Sequence, residues 1–146
     1  MKKLSKISFW ALSLTWGLIM TLIGLITTLF LMCCGYKPKR NIYGWYTEIG
    51  GNFGGADLGP FCIVSANPSR RLLNHEFGHS IQNCYLGPLF PFIVAIPSAA
   101  RYWYREIVVR TGRKKAAELP SYDAIWFEGG ATKLGNEYYN KAKGEL

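Results

Sequence analysis

From residue 7 to residue 36 the chain carries no charged side chain, and residues 7–34 are dominated by Leu, Ile, Phe and Trp. A run of that length must be buried in protein or in lipid. As one helix it is long enough to cross a hydrocarbon core of about 30 Å with some tilt. Lys2, Lys3 and Lys6 precede it, and Lys37, Lys39 and Arg40 follow it. A cleavable signal peptide has a shorter apolar region and a small-x-small cleavage site, and Phe30-Leu31-Met32-Cys33 offers none. It also lacks the small residue expected before a lipoprotein cysteine. The sequence therefore predicts an uncleaved, single-pass N-terminal anchor over residues 1–36, with residues 37–146 as one further domain.

The formal net charge is +8, from 17 Lys and Arg against 9 Asp and Glu. A basic balance raises the question of nucleic acid, but its placement argues for another partner. Basic residues gather beside apolar segments, at 37–40 and again at Arg101, Arg105, Arg110, Arg113, Lys114 and Lys115. That pattern fits anionic lipid headgroups, and no nucleic-acid motif accompanies it. All but three of the basic residues lie beyond the anchor, which favours a cytoplasmic domain. The four cysteines form no C-x-x-C motif. Cys33 and Cys34 are adjacent, while Cys62 and Cys84 stand alone as small buried hydrophobes or as a bridge in an oxidising compartment.

Both histidines of the chain fall within five residues, His75-Glu76-Phe77-Gly78-His79. On a helix, residues four apart share a face, so two imidazoles at this spacing can bind a single tetrahedral Zn²⁺. Glu76 beside them can take the proton of a water attacking a carbonyl. An ordinary amphipathic helix could carry the same spacing, yet no charged residue lies from Phe77 to Ile81 to draw that face into solvent. Asn67-Pro68 reads as the N-cap and first helical position.

Residues 43–49 and 61–65 read as short strands that could form a small hairpin or a sheet edge near the site, where a peptide could add by main-chain pairing. The glycine-rich stretch 50–55 between them lacks the Gly-Lys-Ser/Thr ending of a phosphate loop and reads as a turn. Residues 86–100 are apolar but contain Pro88, Pro91 and Pro97. That composition fits a re-entrant, interfacial or buried segment better than a full span. Residues 101–110 continue as a helix, and Ser121 is a candidate N-cap for the last one.

A catalytic zinc commonly takes three protein ligands, and Glu128 is the best third. It lies in an apolar surround, Ile125-Trp126-Phe127, beside Gly129 and Gly130, whose cost to a helix suggests a tight approach to another helix. Glu106 sits among arginines, Glu118 in a polar loop and Glu137 in a tyrosine-rich tail.

His75-Glu76-x-x-His79, followed some fifty residues later by Glu128-Gly129-Gly130-Ala131, resembles the gluzincin branch of the zincins, the group that includes thermolysin. His75-Glu76-Phe77-Gly78-His79-Ser80-Ile81-Gln82, with Leu86-Gly87-Pro88-Leu89 and Trp126-Phe127-Glu128-Gly129-Gly130-Ala131-Thr132-Lys133-Leu134-Gly135, is similar to small predicted bacterial membrane metallopeptidases. The resemblance covers residues 59–135. It implies zinc held by His75, His79 and Glu128, Glu76 as catalytic base, and a peptide or protein substrate. Thermolysin-like sequences place an aspartate four residues after the ligand glutamate, to orient a ligand histidine. Here that position is Thr132. No third histidine is present for the oxyanion, leaving Tyr138, Tyr139 or Arg101. The expected fold is α+β, a minimal, mostly helical zincin-like domain behind a transmembrane helix. The alternative is a non-catalytic membrane protein that uses the zinc site for structure or partner binding.

Overall fold

The computed structural model describes residues 3–144, so Lys2, one of the basic residues flanking the expected anchor, lies outside it. Helices α1 (Lys6–Leu14) and α2 (Leu18–Cys33) open the chain and meet at a 93° bend. The uninterrupted anchor helix expected over residues 7–34 is therefore not formed. Among the described residues no single helix is long and apolar enough to cross a membrane. The reason is tertiary. Across the bend the Thr21 hydroxyl donates to Ser13 O at 2.7 Å, while Trp16 Nε1 donates to Tyr85 O at 3.3 Å and Asn83 Nδ2 donates to Gly17 O at 3.4 Å. Tyr85 and Asn83 lie some seventy residues away, where hydropathy cannot register them. Phe9 on α1 is fully buried in the main core, whereas Leu22, Ile26, Leu29 and Phe30 on α2 are exposed.

Four short strands follow, β1 (Lys39–Arg40), β2 (Trp45–Glu48), β3 (Gly55–Leu58) and β4 (Phe61–Val64), in the sheet order β1-β2-β4-β3. The two runs read as strands are β2 and β4, and they pair in parallel, Trp45 with Phe61 and Glu48 with Val64. The hairpin is instead β3–β4, closed by Gly59 at positive φ, and β3 is the outer strand beyond it. The glycine-rich turn thus ends in a strand that its composition hides.

Helix α3 (Arg70–Leu86) crosses the centre of the molecule. Ser69, not Asn67, is its N-cap, its Oγ accepting from Leu72 N at 3.1 Å, and Asn67 adopts a left-handed φ of 52°. Leu73, Phe77, Ile81 and Cys84 supply its apolar contacts to two separate clusters. Cys62 and Cys84 belong to different clusters and are both free. After α3 the chain doubles back by 117° at Phe90, through turns at Gly87–Leu89 and Pro91–Ala95, into α4 (Ile96–Arg110). Residues 86–100 therefore fold back rather than run on, as their prolines suggest.

The last helix, α5 (Trp126–Gly144), begins after a 3₁₀ turn at Tyr122–Ala124, so Ser121 precedes that turn rather than capping the helix. α5 packs along α3 more extensively than any other pair of elements. Two glycines permit the approach: a Cβ on Gly78 would overlap the Ala131 carbonyl, and one on Gly135 the Asn74 carbonyl. Close backbone contact over two turns brings the side chains of α3 and α5 to one point.

Candidate metal centre

α3 is unusual for a central helix because so much of its buried surface is polar. Asn74, Glu76, His79, Ser80, Gln82 and Asn83 are all buried. Buried polar groups need partners, so each marks a structural or chemical commitment. Several are met by α5 and β3. Asn74 Nδ2 donates to Asn136 Oδ1 at 2.9 Å, Gln82 Nε2 to Phe127 O at 2.7 Å, and Ser80 Oγ to Asp57 Oδ1 at 2.6 Å. Desolvation pushes the Asp57 carboxyl well above the usual carboxylate range.

His75 and His79, four residues apart on α3, present their Nε2 atoms 3.2 Å from each other. Glu128, in the first turn of α5 and fully buried, places Oε2 at 3.1 Å from His75 Nε2 and 3.3 Å from His79 Nε2. Metal–ligand bonds of about 2.0–2.2 Å in a tetrahedron separate ligand atoms by about 3.3–3.6 Å, so the three spacings lie at the short edge of what zinc requires. Glu106 and Glu137, weighed as alternatives, are elsewhere. Glu106 pairs with Arg110 at 3.0 Å on the surface of α4, and Glu137 lies 3.9 Å from Lys3. Glu118 accepts from Lys115 N in the loop.

The outer nitrogens decide which atoms face inward. Gln82 is oriented by its donation to Phe127 O, which turns its Oε1 toward His79 Nδ1 at 2.8 Å. An amide oxygen only accepts, so His79 carries its proton on Nδ1. Thr132 Oγ1 donates to Asp123 and therefore accepts from His75 Nδ1 at 2.8 Å. A neutral imidazole with its proton on Nδ1 presents a lone pair at Nε2. Glu128 Oε2 faces both Nε2 atoms. Two lone pairs and an anionic oxygen thus converge, and a single proton cannot satisfy all three contacts. One cation can. Glu128 Oε1 is buried without a hydrogen-bond partner among the described residues, so the carboxylate has capacity to spare. These donors fit a borderline-soft divalent ion.

Glu76 lies against β3: a Cβ on Gly55 would sit 2.5 Å from Glu76 Oε1. Burial pushes its carboxyl up to about 7, with His79 drawing it down and Glu128 adding to the rise. His75, Glu76 and His79 all line a cavity of about 820 Å³, walled by Met20, Phe90, Val94 and Trp103 and by β3. Tyr122 also lines it, its ring 6.2 Å from that of His75. Of the residues considered for an oxyanion, Tyr138 is instead buried in the core with its hydroxyl accepting from Leu4 N, and Tyr139 lies under Arg70. Arg101 donates to Ser121 O at 2.8 Å and stacks over Tyr122. It and Arg105, which donates to Pro120 O at 2.6 Å, tie α4 to the loop before α5.

Gln82, Tyr122 and Asp123 are the site residues that spacing did not single out. Gln82 stands three residues beyond His79, one turn on, and that offset was the available signal. Tyr122 and Asp123 arrive through the loop and carry no local pattern. No protein family, curated protein or solved structure matches this chain.

Proposed function

We propose that this chain is a membrane-associated zinc metallopeptidase, a minimal zincin-like domain in which His75, His79 and Glu128 hold zinc and Glu76 is the general base. The observation that carries the reading is the convergence of the two Nε2 atoms and Glu128 Oε2 within 3.1–3.3 Å at the wall of a cavity that Glu76 also lines. A structural zinc site is closed by four protein ligands and has no use for a base, whereas three ligands facing a cavity suit catalysis. Zinc bound there supplies Lewis-acid polarisation of a carbonyl and acidifies a water to near neutrality.

Glu76, raised to about 7, is matched to taking a proton from the attacking water and passing it to the leaving amine near neutral pH. Edge strand β3, which lines the cavity, offers main-chain groups along which a peptide can lie. The Tyr122 hydroxyl takes the oxyanion-facing role in place of a third histidine. The exposed apolar side chains of α2, together with Phe92, Ile93, Ile96, Trp103 and Ile107 around α4, support seating in a bilayer. Lys37, Lys39 and Arg40 on one flank and Arg113, Lys114 and Lys115 on the other suit anionic headgroups.

In detergent, the full-length chain is expected to cleave an unfolded polypeptide such as casein, to stop when 1,10-phenanthroline is added and to recover with zinc. Cleavage indifferent to the chelator, or none by zinc-loaded protein across a broad peptide library, would count against the reading.

A further inference from the structure

We infer that Asp123 is a positioning residue for His75, acting through the Thr132 hydroxyl. This rests on the reading of the site as a metal centre. The chain of contacts is continuous and its direction is set by the chemistry: His75 Nδ1 to Thr132 Oγ1 at 2.8 Å, then Thr132 Oγ1 to Asp123 Oδ1 at 3.0 Å. A carboxylate accepts only, so the hydroxyl proton belongs to the Thr132–Asp123 contact, and the imidazole proton is committed to Nδ1. The other Asp123 oxygen, Oδ2, accepts from Arg71 at 3.0 Å.

Three elements meet in this chain: α3 supplies the histidine, α5 the threonine, and the 3₁₀ turn at Tyr122–Ala124 the carboxylate. A carboxylate behind a ligand histidine raises its basicity and fixes its ring. The position four residues after Glu128 here carries a hydroxyl with no charge of its own, and Asp123, five residues before Glu128, restores the charge from the opposite direction in sequence. The backbone keeps that turn against the helix: a Cβ on Gly129 would stand 2.6 Å from the Asp123 carbonyl oxygen. His79 has no such carboxylate, since its Nδ1 meets the neutral amide of Gln82. The two histidines are therefore held by unlike partners, His75 through a hydroxyl backed by a carboxylate and His79 by an amide oxygen.

Zinc affinity of the purified full chain, measured by competition with a chromogenic chelator, and the absorption spectrum of the cobalt(II) form test this. Thr132→Val, which removes the hydroxyl at nearly constant shape, is expected to weaken zinc binding on the order of 10- to 100-fold and to shift the cobalt bands. Asp123→Asn, which keeps an acceptor oxygen but loses the charge, is expected at the low end, about tenfold. Thr132→Ser should restore binding to within about threefold of wild type, because the relay needs only the hydroxyl. Arg71→Ala should also stay within about threefold, as an exposed ion pair is worth little. Wild-type affinity and spectrum in Thr132→Val, or a loss in Arg71→Ala equal to that in Asp123→Asn, would overturn the relay while leaving the metal centre standing. A wild-type chain that binds neither zinc nor cobalt would overturn the centre itself, and the relay with it.

Discussion

Glu76→Gln is expected to lower peptide hydrolysis by about 10²- to 10⁴-fold, the usual contribution of a positioned general base, while leaving zinc in place. The substitution is nearly isosteric, and Glu76 is not among the three converging ligand atoms, so the centre has no reason to change. Replacing a buried carboxyl raised to about 7 by a neutral amide also removes a desolvation cost, so the variant should be no less stable than wild type near neutral pH. Rate and stability then move independently. A steady-state assay with metal analysis and a melting curve on the same preparation separates them, and a Glu76→Gln chain as active as wild type would remove Glu76 from the reaction.

Gly135→Ala is expected to be the most damaging single methyl group in the chain. Glycine to alanine inside a helix ordinarily gains up to about 1 kcal/mol. Here the added Cβ would overlap the Asn74 carbonyl of α3, which is backbone and cannot rotate aside. Overpacking of this kind costs on the order of 3 kcal/mol, a large share of the roughly 5–15 kcal/mol that holds a domain together. That corresponds to a fall in Tm on the order of 10 °C. It also drives α5 from α3, and Glu128 from the two histidines. Gly144→Ala, at the end of the same helix, meets nothing within 4 Å and should be neutral or slightly stabilising. Thermal unfolding in detergent compares the pair directly, and equal melting temperatures would show that the helices do not approach as closely as described.

The glycines also mark the limit of what could be read from the sequence. Gly129 and Gly130 suggested a tight approach beside Glu128, yet the contact that sets the α3–α5 distance is made by Gly78 and Gly135. Both lie in plain view, Gly78 inside the histidine motif itself, but their role depends on a partner helix that no local window contains. The ligands were legible for the opposite reason. His75, Glu76 and His79 are bound together by helical periodicity, and Glu128 stands out by a charge in an apolar surround. The turning back of residues 86–100 followed from three prolines. The bend at residues 15–17 did not, because it is held by Tyr85 and Asn83 from α3. The parallel pairing of β2 with β4 was equally hidden, since β4 takes its direction from the hairpin it makes with edge strand β3 rather than from either run's composition. Asp123 was invisible because a hydroxyl relay leaves no spacing rule to match.

Zinc content of the purified chain and of its ligand variants, measured by plasma mass spectrometry after exhaustive dialysis, decides the matter most directly. The wild-type chain should carry about one zinc, and His75→Ala, His79→Ala and Glu128→Ala should each lose it, while Glu76→Gln, Glu106→Ala and Glu137→Ala keep it. A wild-type chain free of zinc, or a Glu128→Ala variant that holds as much as wild type while Glu137→Ala does not, would contradict the metal centre described here.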